Sequence, residues 1–128
     1  MEKRRIVLIV EDDAPLRDLL SVRLQAHHYD VFTAKNGQQA LEICRQHKPH
    51  LMLLDVNLPD ILGIDVVENI QSAPLEFGTP KVIVLTGIAY SVDDPKERWS
   101  NEYGVADFIA KPFDYEVLLQ KIETALKA

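Results

Sequence analysis

The sequence predicts an α/β protein built on one parallel sheet with helices on both faces. Short apolar runs alternate along the chain with stretches in which apolar residues recur at helical spacing. Two of the runs, residues 6–10 and 51–54, are continuously apolar, which is typical of strands buried on both faces of a parallel sheet. Because strands that alternate with helices need crossover connections, the pairing is expected to be parallel.

The first half of the chain provides three strands and three helices. Pro15 suits the first turn of a helix, Asn36 and Gly37 turn the chain into a second helix, and Pro59 and Gly63 shape the loop before a third. In order, the predicted segments are a strand at 6–10, a helix from about 15, a strand at 31–34, a helix at 38–47, a strand at 51–55 and a helix at 64–72.

The second half provides two more strands and two more helices. Pro74, Gly78 and Pro80 are interpreted as a break in the chain before the fourth strand. Asp94 and Pro95 suit the N-cap and first position of the next helix. The predicted segments are a strand at 81–85, a helix from 94 to about 104, a strand at 108–110 and a last helix from about 114 to 127.

Length and composition describe one domain, residues 1–128. Apolar and charged contents of 47% and 27% are typical of a globular protein. The formal charge of −6 argues against direct nucleic-acid binding, because phosphate contacts need a basic face. The run at 6–10 is too short for a secretion signal or a membrane span. The single cysteine, Cys44, excludes an internal disulfide, suits a core position and fits a cytoplasmic location.

Four predicted strands end in side chains that can carry chemistry. Glu11 and Asp12 follow the first strand, Asp55 ends the third, Thr86 follows the fourth and Lys111 the fifth. Each also has a purely structural explanation: the acids favour helix starts, Asp55 can cap the next turn, and Lys111 can be a surface cation. Because right-handed crossovers place these strand ends on one edge of the sheet, their coincidence favours a site.

The charges of this set predict a bound cation. Three carboxylates and the Lys111 ammonium leave a net charge of −2 in a small cleft, and two like charges about 4 Å apart repel by roughly 4 kcal/mol at an effective dielectric near 20. A divalent cation would offset this, and oxygen ligands favour Mg²⁺ over zinc. Asp55 would then be a nucleophile toward a phosphoryl group whose oxygens Lys111 and Thr86 hold.

Together, these motifs resemble the receiver domains of two-component response regulators. Among these, the chain is most similar in kind to the single-domain chemotaxis regulators. The matching segments span nearly the whole chain and are residues 10–13, 53–59 with Gly63, 84–87 and 108–113. The resemblance implies a flavodoxin-like (βα)5 fold, a doubly wound sheet with strand order 2-1-3-4-5. It also implies a phosphoacceptor that catalyses its own phosphorylation and dephosphorylation and turns over no small molecule.

The resemblance assigns the site residues. Asp55 takes a phosphoryl group from a histidine kinase or histidine phosphotransfer protein, with Mg²⁺ required and Mn²⁺ able to substitute. Asp12 matches the direct metal ligand, Glu11 the acid that acts through water, and Asn57 the residue whose backbone carbonyl binds the metal. The remaining match, Thr86, is the hydroxyl that reports the phosphoryl group.

The resemblance also implies how the signal leaves the site. Thr86 and Phe108 match a hydroxyl and aromatic pair that rearranges on phosphorylation, and Phe108 would turn inward. The output surface would combine the predicted helix at 94–104, the fifth strand and the last helix, and would contact a downstream protein or an effector domain. Trp99 and Tyr103 share one face of that predicted helix, so Trp99 fluorescence is expected to report the change.

Three other functions compete with this interpretation. A haloacid-dehalogenase-type phosphatase would need a general acid where the chain has Asn57. A flavodoxin-type FMN carrier would need phosphate donors in the first loop, which is acidic here. A degenerate receiver that binds without phosphorylation is disfavoured because every acceptor-site residue is present. The residues suit both a stand-alone receiver and one cut from a longer regulator.

Overall fold

One parallel sheet organises the protein. The computed structural model describes residues 4–86 and 104–127. In order along the chain, its strands are β1 (Ile6–Val10), β2 (Asp30–Ala34), β3 (Leu51–Asp55), β4 (Lys81–Thr86) and β5 (Asp107–Ala110). The strand order is β2-β1-β3-β4-β5, and every neighbouring pair is parallel. The predicted fold class and strand order are therefore confirmed.

Helices cover both faces of this sheet. The described helices are α1 (Ala14–Ala26), α2 (Gly37–His47), α3 (Gly63–Ser72), α4 (Pro74–Phe77) and α5 (Tyr115–Lys127). Buried residues of α1 and α5 pack with one set of strand side chains, and those of α2, α3 and α4 pack with the alternate set. This alternation assigns each strand residue to one of two cores. Within the described ranges, no helix combines the length and apolar character needed to cross a bilayer.

The short helix α4 was not predicted. Pro74 was interpreted as a break in the chain, whereas it occupies the first position of a helical turn, where its missing N–H costs nothing. Phe77 is buried, and Arg45 of α2 contacts this turn by an ion pair with Glu76 at 2.7 Å. The predicted helix at 94–104, with its two aromatic residues, lies outside the described residues.

Cys44 provides a test of the core. Its side chain on α2 is completely buried, as predicted, and burial raises the pKa of the thiol to about 12. The reactive thiolate should therefore be scarce and inaccessible. We expect a disulfide-exchange reagent at mildly alkaline pH to label the native chain far more slowly than the chain unfolded in guanidinium. Equal labelling rates would contradict the position of Cys44 in the core.

Candidate functional site

The buried polar side chains lie at the carboxyl edge of the sheet. Among the described residues, the buried polar or charged ones are Glu11, Asp55 and Thr86, which are 0%, 5% and 6% exposed. Asp55 and Thr86 end β3 and β4, and Glu11 directly follows β1. Buried ionisable groups are costly unless they are compensated, so their concentration at one edge marks this edge as the candidate site.

Backbone hydrogen bonds hold the strand ends in register. The N–H of Glu11 donates to the Ala34 carbonyl at 3.0 Å, and the N–H of Lys111 donates to the Thr86 carbonyl at 2.6 Å. Val10 pairs with Leu54, so the next residues, Glu11 and Asp55, follow side by side. Side chains alternate along strands, and this places Glu11, Asp55 and Lys111 on the same side of the sheet as α1 and α5.

Lys111 joins the two buried carboxylates. Its Nζ donates a hydrogen bond to Oε1 of Glu11 and lies 3.4 Å from Oδ2 of Asp55. Asp12 is exposed, yet its carboxylate lies with those of Glu11 and Asp55 in a group whose oxygens are all within 4.8 Å of one another. The structure thus brings together four of the predicted site residues.

The pKa of Glu11 reflects its burial first and the neighbouring negative charge second. It is raised to about 8, first because burial penalises the charged carboxylate and then because Asp55 lies beside it, while Lys111 acts in the opposite direction. Burial by itself would lower the pKa of Lys111, but its hydrogen bond to Glu11 and the charges of Asp55 and Glu11 raise it. The Lys111 ammonium therefore stays charged, whereas the site disfavours a negative charge on Glu11 in addition to those of Asp12 and Asp55.

The same residues fit a divalent cation. Oε2 of Glu11 is buried and, among the described residues, has no hydrogen-bond partner. An unpaired buried carboxylate oxygen is costly, and a cation or a water bound to it would satisfy it. Because the group offers carboxylate oxygens alone, without sulfur or imidazole, it suits Mg²⁺ better than zinc.

The loop after β3 is closely packed on Asp55. The N–H of Asn57 donates to Oδ1 of Asp55 at 3.1 Å, so Asp55 does cap the next turn, and this structural role accompanies its place in the site. The N–H of Gly63 donates to the Val56 carbonyl at 3.2 Å, and a Cβ on Gly63 would lie 2.9 Å from the Asp55 carbonyl oxygen. Only glycine permits this close approach at the start of α3.

Thr86 and Phe108 lie on the opposite side of the strands from the carboxylates. Phe108 pairs with Val84 of β4, and alternation places Thr86 on the same side as that valine. Phe108 is only 7% exposed and belongs to the core formed with α2 and α3. The Phe108 side chain thus lies inside the protein in this structure, and its rearrangement with Thr86 on phosphorylation remains a prediction.

Asp60 contributes an arrangement that sequence reasoning missed. Its carboxylate accepts hydrogen bonds from the backbone N–H groups of Gly37, Gln38 and Ile61 at 2.8, 2.9 and 2.9 Å. Burial acts to raise the pKa of Asp60, but these backbone hydrogen bonds outweigh it and the pKa is lowered. The bonds to α2 span more than 20 residues of chain, and no local motif marks such a partner.

The fold and the edge define a class of protein, the CheY-like domains, with a carboxylate cluster where the strand order reverses between β1 and β3. The model of the response regulator receiver domain matches residues 7–123. The phosphate regulon transcriptional regulatory protein PhoB of Pseudomonas aeruginosa is 34% identical over 96% of this chain and 52% of its own. The DNA-binding response regulator MtrA of Mycolicibacterium paratuberculosis is 33% identical over 97% of this chain and 52% of its own.

Solved structures agree with this classification. A CheY-like receiver domain protein of Methanospirillum hungatei is 30% identical, with a TM-score of 0.84 over 98% of this chain and 95% of that one. The response regulator TrrA of Thermotoga maritima, in complex with Mg²⁺ and BeF, is 27% identical, with a TM-score of 0.78 over 94% of this chain and 98% of that one.

The chain belongs to the response regulator receiver domain family, and it is a receiver domain of the two-component type. The predicted resemblance is confirmed. The chain spans about half the length of the curated relatives it matches. The roles of the individual site residues remain predictions. The contacts of Lys111 with Glu11 and Asp55, and the grouping of the three carboxylates, give these predictions a physical basis.

The Lys111 contacts predict a measurable effect on stability. Replacing Lys111 by Met leaves Glu11 and Asp55 without their shared cation, so we expect the free energy of unfolding in metal-free buffer to fall by about 1–3 kcal/mol. Lys121→Met is the matched control, because the more exposed Lys121 pairs with Asp107 at 3.0 Å and should lose less than about 1 kcal/mol. Equal losses in urea titrations of the two variants would contradict a special role for Lys111.

Proposed function

We propose that this domain accepts a phosphoryl group on Asp55 from the phosphohistidine of a histidine kinase or a histidine phosphotransfer protein. One observation carries the proposal: a buried strand-end carboxylate, Asp55, faces the Lys111 ammonium beside two further carboxylates. A carboxylate in this setting can act as a nucleophile toward phosphorus, and the neighbouring cation can bind a phosphoryl oxygen.

The transfer exchanges one bond to phosphorus for another. A carboxylate oxygen of Asp55 forms a P–O bond as the P–N bond to the donor imidazole breaks. The imidazole nitrogen keeps the electron pair of that bond and is protonated from solvent. Lys111, held by Glu11, lies on the Oδ2 side of Asp55 and is placed to offset the charge of the incoming group. The chain therefore supplies the nucleophile, its orientation and one positive charge.

The carboxylate group would hold Mg²⁺, for which Mn²⁺ can substitute. Asp12 and Asp55 would provide carboxylate oxygens directly, Glu11 would act through a bound water, and Asn57 would contribute its backbone carbonyl. The cation supplies charge neutralisation for the carboxylates and for phosphoryl oxygens. The complex of the related TrrA with Mg²⁺ and BeF supports this assignment. Catalysis in this proposal is confined to the domain's own phosphorylation and dephosphorylation.

The signal would leave through the strands next to the site. Thr86 and Phe108 occupy the same side of neighbouring strands, so movement of the Thr86 hydroxyl toward a phosphoryl group would disturb the packing of Phe108. The output surface would include β5 and α5 and bind a downstream protein or an effector domain.

The relatives are named as transcriptional and DNA-binding regulators, but the charge of −6 argues against direct DNA contact by this domain. We propose that the phosphoryl transfer takes place in the cytoplasm.

Labelling tests the acceptor. Acetyl phosphate or a kinase should introduce an acid-stable, base-labile phosphate on Asp55 that depends on Mg²⁺, because the site needs a cation before another anion can approach. Phosphate-affinity electrophoresis and mass spectrometry of the wild-type chain and Asp55→Asn would locate it. Labelling that persists in Asp55→Asn or in excess chelator would refute the proposal.

Two substitutions separate binding from signalling. Asp12→Ala should remove most of the Mg²⁺ affinity, since a carboxylate ligand is lost. Thr86→Ala should leave labelling largely intact and weaken the downstream response, because the hydroxyl responds to the phosphoryl group without forming its bond. Mg²⁺ titration and labelling of both variants check these roles. Loss of labelling in Thr86→Ala with normal Mg²⁺ binding in Asp12→Ala would reverse them.

A further inference from the structure

The amino end of α2 is capped from a distant part of the chain. The first N–H groups of a helix have no partner within the helix and need side chains or water. Here the N–H groups of Gly37 and Gln38 donate to the two oxygens of Asp60 at 2.8 and 2.9 Å. The N–H of Gln39 donates to Oδ1 of Asn36 at 2.8 Å. Two side chains thus share the cap, and only one of them, Asn36, is local.

An apolar contact closes the same junction. A Cβ on Gly37 would lie 2.3 Å from Cγ1 of Ile61, so the isoleucine fills the space that a side chain at position 37 would take. The N–H of Ile61 also donates to Oδ1 of Asp60 at 2.9 Å. The loop is therefore fixed to α2 both by charge and by packing.

The anchored loop is the one that follows Asp55. It spans residues 56–62 and contains Asn57, whose N–H donates to the Asp55 carboxylate. Its base is closed by the hydrogen bond from Gly63 to Val56 at 3.2 Å. The base of the loop is thus held by β3 and α3. Its far side is held by the hydrogen bonds that the Asp60 carboxylate accepts from the start of α2.

Helix α2, to which Asp60 binds, is connected through the end of β2 to the buried carboxylate of Glu11. Helix α2 begins three residues after β2 ends at Ala34, and the Ala34 carbonyl accepts the N–H of Glu11 at 3.0 Å. Asp60 therefore connects the loop that carries Asn57 with the chain segment that holds Glu11 in place.

We propose that Asp60 is a positioning residue for the cation and phosphoryl site. Its carboxylate holds the loop of residues 56–62 on α2, so that the segment from Asp55 to Asn57 keeps its place relative to Glu11. This inference rests on the proposed function, because it concerns the same site. Asp60 itself touches neither the phosphoryl group nor the cation in this role.

Asn36 offers a matched control. Asp60→Ala and Asn36→Ala each remove a side-chain cap from the same helix, and the two are expected to lower its stability to a similar extent. Only Asp60→Ala also releases the loop. We expect the Mg²⁺ dissociation constant from calorimetric titration to rise about 10-fold or more in Asp60→Ala, as for other residues that orient metal ligands, and to stay within about two-fold in Asn36→Ala. Asp60→Asn, which keeps one oxygen, should lie between.

Amide hydrogen exchange in metal-free buffer provides a second readout. Exchange of the Asn57 and Gly63 amides should become faster in Asp60→Ala and remain at the wild-type rate in Asn36→Ala. Equal effects of the two variants on Mg²⁺ affinity, or unchanged exchange of the loop amides in Asp60→Ala, would overturn the positioning role. If the wild-type chain binds no Mg²⁺ and takes no phosphate, the proposed function fails, and the exchange rates still decide whether Asp60 anchors the loop.

Discussion

At the carboxyl edge of the sheet, the Lys111 ammonium contacts two buried carboxylates, Glu11 and Asp55, that would otherwise face each other directly. The sheet creates this contact because β1, β3 and β5 end at the same edge and alternation turns all three side chains to the same side. Helices α1 and α5 cover that side and keep the group partly out of water. Fold and site therefore share one cause, the parallel register of the strands.

The contact does not neutralise the edge. One ammonium serves three carboxylates, the pKa of Glu11 is raised to about 8, and its second oxygen has no hydrogen-bond partner within residues 4–86 and 104–127. A site optimised only for stability would replace one of these acids. Proteins commonly keep such unfavourable groups at ligand-binding sites, because the ligand needs them even though they lower the stability of the fold. In the function we propose, this imbalance favours binding of a cation, and the bound cation would allow an anionic phosphoryl group to approach Asp55.

Much of this could be predicted from the sequence because the signals are local. The continuous apolar runs predicted the strands, and the residues directly after them predicted that Glu11, Asp55 and Lys111 would meet. The turn at Pro74 was missed because proline is a signal for both a break and a helix start. The cap from Asp60 was missed for a different reason: its partners Gly37 and Gln38 become neighbours only after the chain folds.

Mg²⁺-dependent stability is the most direct test of the central claim that the carboxylate edge is built for a divalent cation. The free energy of unfolding from urea titrations should increase with MgCl₂ concentration and gain about 2.7 kcal/mol at 100 times the dissociation constant. NaCl at matched ionic strength should give no comparable gain, because screening does not satisfy the buried Glu11 oxygen. The gain should largely disappear in Asp12→Ala. Equal effects of MgCl₂ and NaCl, or a full Mg²⁺ effect in Asp12→Ala, would contradict this account.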